Sequence, residues 1–191
     1  MSIKFVATCL THKQKITCQN MDIETPQNYA RSYSEIAAGC VTDFSVHCFN
    51  SAALLALKEL GVSRATLHPE LNLAQIRDIK KCIPTEVVIY GKIPMMYLGN
   101  PLKAIKPPRH TNSLFSGIIT DRKGAKFYVN NGIVYNSVPI FAADKLNQIE
   151  KTGITHGRFI FTTESDEEVR AVVGAYMAQK PLKIPFTRGY L

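Results

Sequence analysis

The sequence has 191 residues, a formal net charge of +8, 46% hydrophobic residues and 20% charged residues. This length is typical of one domain, residues 1–191, and the apolar content excludes a disordered chain. A complete (β/α)₈ barrel usually has about 250 residues, so a barrel-like pattern here predicts an incomplete barrel. No apolar run approaches the ~18 residues of a membrane span. The stretch Phe5–Leu10 is too short for a secretory signal, so we expect a cytoplasmic protein without a membrane partner.

Strands and helices alternate along most of the chain. Ser51 to Leu60 is typical of a helix, with Asn50 as its N-cap and Gly61 directly after it. Capping-box spacing at Asn72 and at Ser165 predicts two further helix starts. The predicted strands are 3–8, 43–49, 64–68, 86–91 and 157–162, and the predicted helices are 27–38, 51–60, 72–81, 141–152 and one that follows Ser165.

A different pattern interrupts this alternation. Residues 99–113 contain several prolines and lysines and predict a long irregular loop. Two β-type runs within 117–129 flank an Asp-Arg-Lys-Gly turn, which predicts an antiparallel hairpin, and 133–135 is a further short strand. The fold class that follows is α/β, a partial or incomplete TIM-like (β/α) barrel of mostly parallel strands with a β-hairpin insertion.

An amphipathic stripe marks the last predicted helix. Apolar side chains recur there at helical spacing, which predicts a face that packs on the core. The stripe comprises Val169, Val172, Val173, Tyr176 and Met177.

Reactive side chains in such folds cluster beyond the carboxyl ends of the strands. That rule points to His68 and Glu70 as a general acid/base pair, with Asn50 and Lys92 as further catalytic candidates. A structural role stays open for Glu70, as a cap or ion-pair partner of its loop. His47 is a further candidate, for which a structural role in its strand is the alternative. A metal site built from His47, Cys48, His68 and Glu70 matches no known ligand spacing, so we expect no metal.

Basic residues concentrate between Lys92 and Lys126, where there are seven of them and one acid. Such a cluster is typical of a phosphate or nucleic-acid site, although a solvated loop would have the same composition. The candidate binding residues are Lys103, Lys106, Arg109, Arg122 and Lys123.

Six strings, in this order and spacing, resemble those of the collagenase-like peptidase family U32. The resemblance runs from about Ala38 to the end and leaves residues 1–37 unassigned. His68 stands where the family usually has serine. The strings are 43–51, 61–71, 91–96 with Gly91, 121–124 with Asp121 and Gly124, 136–137 with Asn136, and 186–190.

The resemblance implies a barrel-like fold and a peptidase label. Better-understood members are similar to iron–sulfur proteins that hydroxylate RNA bases or a quinone precursor. Their cluster cysteines follow the segment that resembles 91–96 and surround the hairpin. Here Asn100 stands near the first such position, and no cysteine follows Cys82. We therefore expect no cofactor, because a cluster needs thiolate ligands.

Three functions remain open at this point. The chain is a peptidase-like hydrolase, a cluster-free RNA-binding or RNA-modification accessory module, or a non-catalytic subunit of a larger family member.

An incomplete barrel has open sheet edges, which are a liability unless they are covered. We expect the N-terminal segment, the C-terminal tail, or a protein partner or second copy of the chain to cover them.

Overall fold

The computed structural model describes residues 3–26, 28–99 and 117–191. These residues form two compact units, one made of Met1–Gly91 with Ile140–Leu191 and the other of Lys92–Pro139. The assignment of residues 1–191 to one domain stays a prediction. In the part of the chain that is described, no helix is both long enough and apolar enough to cross a membrane.

The secondary structure alternates as the fold class requires. The strands are β1 (Lys4–Cys9), β2 (Tyr29–Ala30), β3 (Val41–Thr42), β4 (Arg64–Thr66), β5 (Thr85–Gly91), β6 (Pro94–Tyr97), β7 (Gly117–Thr120), β8 (Lys126–Asn130), β9 (Ile133–Tyr135), β10 (Ile140–Phe141) and β11 (His156–Phe161). The α-helices are α1 (His12–Gln19), α2 (Ser51–Glu59), α3 (Leu73–Asp78), α4 (Leu146–Lys151) and α5 (Asp166–Met177).

The larger unit is built on a curled parallel sheet. Its strand order is β1-β11-β5-β4-β3-β2, and β10 pairs antiparallel with β5. This arrangement confirms the predicted α/β class with a partial TIM-like barrel. A parallel bridge joins Val6 of β1 to Glu24, and another joins Ile140 of β10 to Thr187 in the C-terminal tail. Both expected chain segments therefore pair with strands of this sheet.

Local capping signals explain where the helices begin. The Asn50 side chain accepts a hydrogen bond from the Ala53 amide at 2.9 Å, at the start of α2. Reciprocal capping boxes open α3 at Asn72 and α5 at Ser165, as predicted. A third capping box, at Thr11, opens α1, which the sequence analysis did not identify.

The predicted strand at 43–49 is wrong. The Asp43 carboxylate accepts a hydrogen bond from the Phe44 amide at 2.7 Å and begins a 3-10 helix, Phe44–Val46. His47 then takes a left-handed conformation with φ 59°, which no strand contains. The alternation of apolar and polar residues at 43–49 therefore belongs to a turn. The strand at this point of the sheet is β3, which ends just before that turn.

Two predicted helices also differ from the structure. Over 28–38 the chain forms β2 and a 3-10 helix, Tyr33–Glu35, because the Glu35 carboxylate accepts the Arg31 amide and draws that segment into a turn. Gln27 lies outside the described residues. The helix predicted at 141–152 is divided into β10, a 3-10 helix (Ala143–Lys145) and α4.

The hydrophobic core lies between the sheet and its helices. The ring of Tyr176 in α5 packs edge-on against Phe159 of β11, with ring centroids 4.9 Å apart. Its hydroxyl accepts the Ala142 amide at 2.8 Å and donates to the Ile89 carbonyl. The stripe on α5 is buried as predicted except for Met177, which is 59% exposed and does not belong to the core.

The second unit is a four-stranded antiparallel sheet in the order β6-β9-β8-β7. The predicted hairpin is confirmed, with Gly117 of β7 opposite Val129 of β8. Its turn is closed by Asp121, whose carboxylate accepts the Lys123 and Ala125 amides at 2.8 Å each, and by Gly124 at φ +83°. The loop predicted at 99–113 lies outside the described residues beyond position 99.

Candidate functional site

A buried ionic network joins the parallel strands. Glu86 of β5 is fully buried, and its carboxylate accepts the Thr66 hydroxyl at 2.6 Å. The same carboxylate lies 3.0 Å from Nε of Arg64 and 3.7 Å from Nη1 of Arg158. Since β4 contributes Arg64 and Thr66, β5 contributes Glu86 and β11 contributes Arg158, the network joins three neighbouring strands.

Arg158 connects this network to the carboxyl edge of the sheet. Its guanidinium donates to Asp43 at 3.0 Å and to the Thr8 hydroxyl at 2.9 Å. The same group lies over the Tyr29 ring, 3.8 Å from the centroid. Burial, together with the nearby Glu86 carboxylate, raises the pKa of Tyr29 well above its ordinary value, so this phenol keeps its proton.

Next to this network a cleft of about 540 Å³ opens, which we call the mouth cleft. Thr8 and Cys9 end β1 and Arg31 follows β2, so the cleft lies at the carboxyl edge, where such folds bind ligands. Two cations, Lys15 and Arg31, line it. The remaining lining residues are Thr25, Pro26, Tyr29 and Glu35.

Three rings, His47, Phe49 and His68, form what we call the ring cluster, also at the carboxyl edge. The His68 ring lies 4.3 Å from that of Phe49 and 5.4 Å from that of His47, at interplanar angles of 29° and 28°. A parallel bridge between Cys48 and Leu67 brings the two segments together. His47 is exposed and Phe49 is 37% exposed, so the cluster offers flat ring surface to solvent.

The hydrogen bonds of His68 define its protonation. The Glu70 amide donates to Nδ1 at 3.4 Å, so the neutral ring carries its proton on Nε2. Burial lowers the pKa of His68; the Glu70 charge opposes this and His47 adds to it. At neutral pH His68 is therefore a hydrogen-bond donor through Nε2.

Of the four predicted catalytic residues, the structure brings His68 and Glu70 close to each other. The Glu70 carboxylate is 66% exposed and lies 3.8 Å from Nδ1 of His68, so the two lie close to each other. Asn50 uses its side-chain oxygen to cap α2, as described above. Lys92 begins the second unit. The catalytic roles of these residues stay predictions.

The predicted basic residues fall partly within the described structure. Arg122 and Lys123 are exposed at the turn of the β7–β8 hairpin. Lys103, Lys106 and Arg109 lie outside the described residues.

The motif residues have clear structural roles. Gly91, at φ +129°, packs against β11 so closely that a Cβ atom would lie 2.2 Å from the Ile160 carbonyl oxygen. Asn136 accepts the Ser137 amide at 2.9 Å, and its own amide donates to the Ile93 carbonyl at 2.9 Å. No group of three or more metal-ligating side chains occurs within residues 3–26, 28–99 and 117–191.

Part of this site lies in a segment that is similar to a known family. Residues 29–107 match the model of peptidase family U32. Over these residues, which are 79 of the 191, the chain is similar to peptidase family U32. No curated protein and no solved structure matches it. The match confirms the resemblance from Ala38 to position 107, and it extends the resemblance back over β2; over 108–191 the resemblance stays a prediction.

The residues that match the U32 model include the whole ring cluster but only part of the ionic network. Asp43, Glu86 and the whole ring cluster lie inside the matched range, whereas Arg158, Thr8 and Cys9 lie outside it. His68 and His47 were identified from the sequence, whereas Phe49, Glu86 and Arg158 were not. A signal for the last two was present: each is a charge directly before an apolar run in a strand, where charges are seldom buried unless they are paired.

Proposed function

We propose that this chain is a cluster-free module that binds single-stranded RNA at the carboxyl edge of its parallel sheet. The ring cluster is the observation that carries this proposal. Proteins that bind single strands combine flat rings, on which bases stack, with cations that follow the phosphates. His47, Phe49 and His68 supply nearly parallel rings that reach solvent.

The mouth cleft supplies cations next to these rings. Arg31 is largely exposed, and Lys15 lines the same cleft. Phe44 and the adjacent Asp43 link the two features. The Phe44 ring centroid lies 6.3 Å from that of His68, and the Asp43 carboxylate lies 3.9 Å from Nε of Arg31. The net charge of +8 favours a polyanionic ligand.

Replacing Phe49 by alanine should weaken RNA binding roughly 5- to 150-fold, since base–ring stacking contributes about 1–3 kcal/mol per base. The measurement is fluorescence anisotropy with a labelled single-stranded oligouridylate at low salt. Tyr190→Ala, which removes a ring that is 62% exposed in the tail, is the matched control and should bind as wild type.

Salt dependence separates the contribution of the cations from that of the rings. Lys15→Gln and Arg31→Gln should each reduce the slope of log K against log salt by about 0.7, whereas Phe49→Ala should leave the slope unchanged. A wild-type chain that does not bind the oligonucleotide at low salt would disprove the proposal. Stoichiometric iron in the purified protein would disprove the part of the proposal that says the chain holds no iron–sulfur cluster.

Peptide hydrolysis is the second candidate function, favoured by the family match and by the proximity of His68 and Glu70. On this hypothesis Glu70 and His68 are the acid/base groups, with Asn50 and Lys92 as further site residues. Glu70→Ala should abolish cleavage of gelatin and of unstructured peptides. Glu59→Ala, an exposed carboxylate in α2, should not affect it. Wild-type protein that is inert on both substrates contradicts this candidate.

A further inference from the structure

Two cysteines that the proposed function does not use lie side by side at the mouth cleft. Cys9 ends β1, Cys18 lies in α1, and their Sγ atoms are 3.5 Å apart. A disulfide bond has an S–S length of about 2.05 Å, so the two sulfurs need to approach by only about 1.5 Å. Cys18 is fully buried, whereas Cys9 is half-buried and lines the mouth cleft.

The pair is electrostatically prepared to lose one proton. A hydrogen bond between the thiols lowers the pKa of Cys18 against the opposing effect of burial, and it raises the pKa of Cys9. Lys15 lies near enough to Cys9 to oppose that rise. A thiolate in this pair is therefore stabilised by a neighbouring thiol and by a cation, the conditions that make cysteines reactive.

The other three cysteines have no such environment. Among the described residues, a hydrogen bond between two thiols is seen for Cys9 and Cys18 and for none of the other three cysteines. Burial, with a smaller effect of Cys82, raises the pKa of Cys48 to about 11, so this thiol stays protonated at neutral pH. Any difference in reactivity should therefore single out Cys9 and Cys18.

We propose that Cys9 and Cys18 form a peroxide-reactive dithiol that closes to a reversible disulfide in the wall of the mouth cleft. Cys18 loses the first proton of the pair, and the Cys9 proton then passes to it across the 3.5 Å contact. The reacting thiolate is thereby placed on Cys9, the sulfur that faces the cleft. The Cys9 thiolate attacks hydrogen peroxide and, with uptake of a proton, gives a sulfenic acid and one water.

The second step forms the disulfide bond. Cys18 attacks the sulfenic sulfur, the S–O bond breaks, and the oxygen leaves as a second water. Two thiols are thereby oxidised by two electrons, and one peroxide is reduced to two waters. A small dithiol such as dithiothreitol reverses the reaction by thiol–disulfide exchange.

The test is a peptide map of the full chain after treatment with hydrogen peroxide. Remaining thiols are blocked with N-ethylmaleimide under denaturing conditions before digestion with trypsin without reduction. Lysines at 13 and 15 separate the two cysteines into peptides 5–13 and 16–31. We expect these two peptides joined by a disulfide that dithiothreitol cleaves, while Cys40, Cys48 and Cys82 carry maleimide.

Variants and stability give a second readout. Oxidation should raise the Tm of the wild-type chain by roughly 5–10 °C, because a cross-link restricts the unfolded state. Cys9→Ser should lose both the linked peptide and the Tm rise, whereas the control Cys40→Ser should keep both. Recovery of Cys9 and Cys18 as maleimide adducts after peroxide, or linkage of either to another cysteine, would overturn the proposal. The wild-type map decides this even where a variant fails to fold.

Discussion

Replacing Glu86 by alanine is expected to lower the free energy of unfolding by about 3–5 kcal/mol. The Glu86 carboxylate is fully buried and faces two guanidinium groups, those of Arg64 and Arg158, whose side chains are 10% and 3% exposed. Without it, both cations stay buried with less compensation, and the Thr66 hydroxyl loses its acceptor. Chemical denaturation followed by circular dichroism measures the change.

Two further variants show whether the charge of Glu86 is responsible for this loss of stability. Glu86→Gln keeps the shape and an acceptor oxygen but removes the charge, so its loss of stability should lie between those of wild type and Glu86→Ala. Glu70→Ala removes a carboxylate that is 66% exposed and should change stability by no more than about 0.5 kcal/mol. Equal stabilities of Glu86→Ala and Glu70→Ala would show that the network does not stabilise the sheet.

Gly91→Ala is expected to destabilise the protein by about 3 kcal/mol or more. Gly91 has φ +129°, a conformation that side chains rarely adopt, and the added Cβ would lie 2.2 Å from the Ile160 carbonyl oxygen. The obstacle is backbone in the neighbouring strand β11, which can move only if the pairing between β5 and β11 is distorted. Thermal and chemical unfolding both report the loss.

Gly174→Ala is the matched control, with an effect of opposite sign. Gly174 lies in α5, and nothing occupies the 4 Å around an added Cβ atom. Alanine is the better helix former, so this change should stabilise the protein by roughly 0.5–1 kcal/mol. Similar effects of the two substitutions would contradict the close approach of the strands at Gly91.

Local signals allowed much of the fold to be predicted. The starts of α2, α3 and α5 depend on a cap and its helix within a few residues, and β5 is a Val/Ile-rich strand of the buried parallel type. Prediction failed at 43–49, where the same alternation fits a strand and a capped turn. It failed at β2 because a two-residue strand is stabilised only by its partner β3.

The candidate site was less predictable because its contacts are distant in sequence. Arg158 and Asp43 are 115 positions apart, and Glu86 and Tyr29 are 57 apart. His68 could be found because it follows a recognisable strand. Phe49 could not be, because its ring meets His68 only through the bridge between Cys48 and Leu67.

The pairing of β1 with β11 has a consequence for how the protein folds during synthesis. Lys4 lies opposite His156, so β1 leaves the ribosome long before its partner strand β11 has been synthesised. Until then β5 also lacks its neighbour, since β11 lies between the two. Nascent chains that end before position 156 therefore expose unpaired edges of β1 and β5 at the same time, and such edges promote association between chains. Translation stalled in α4 should yield a form that depends on chaperones for its solubility.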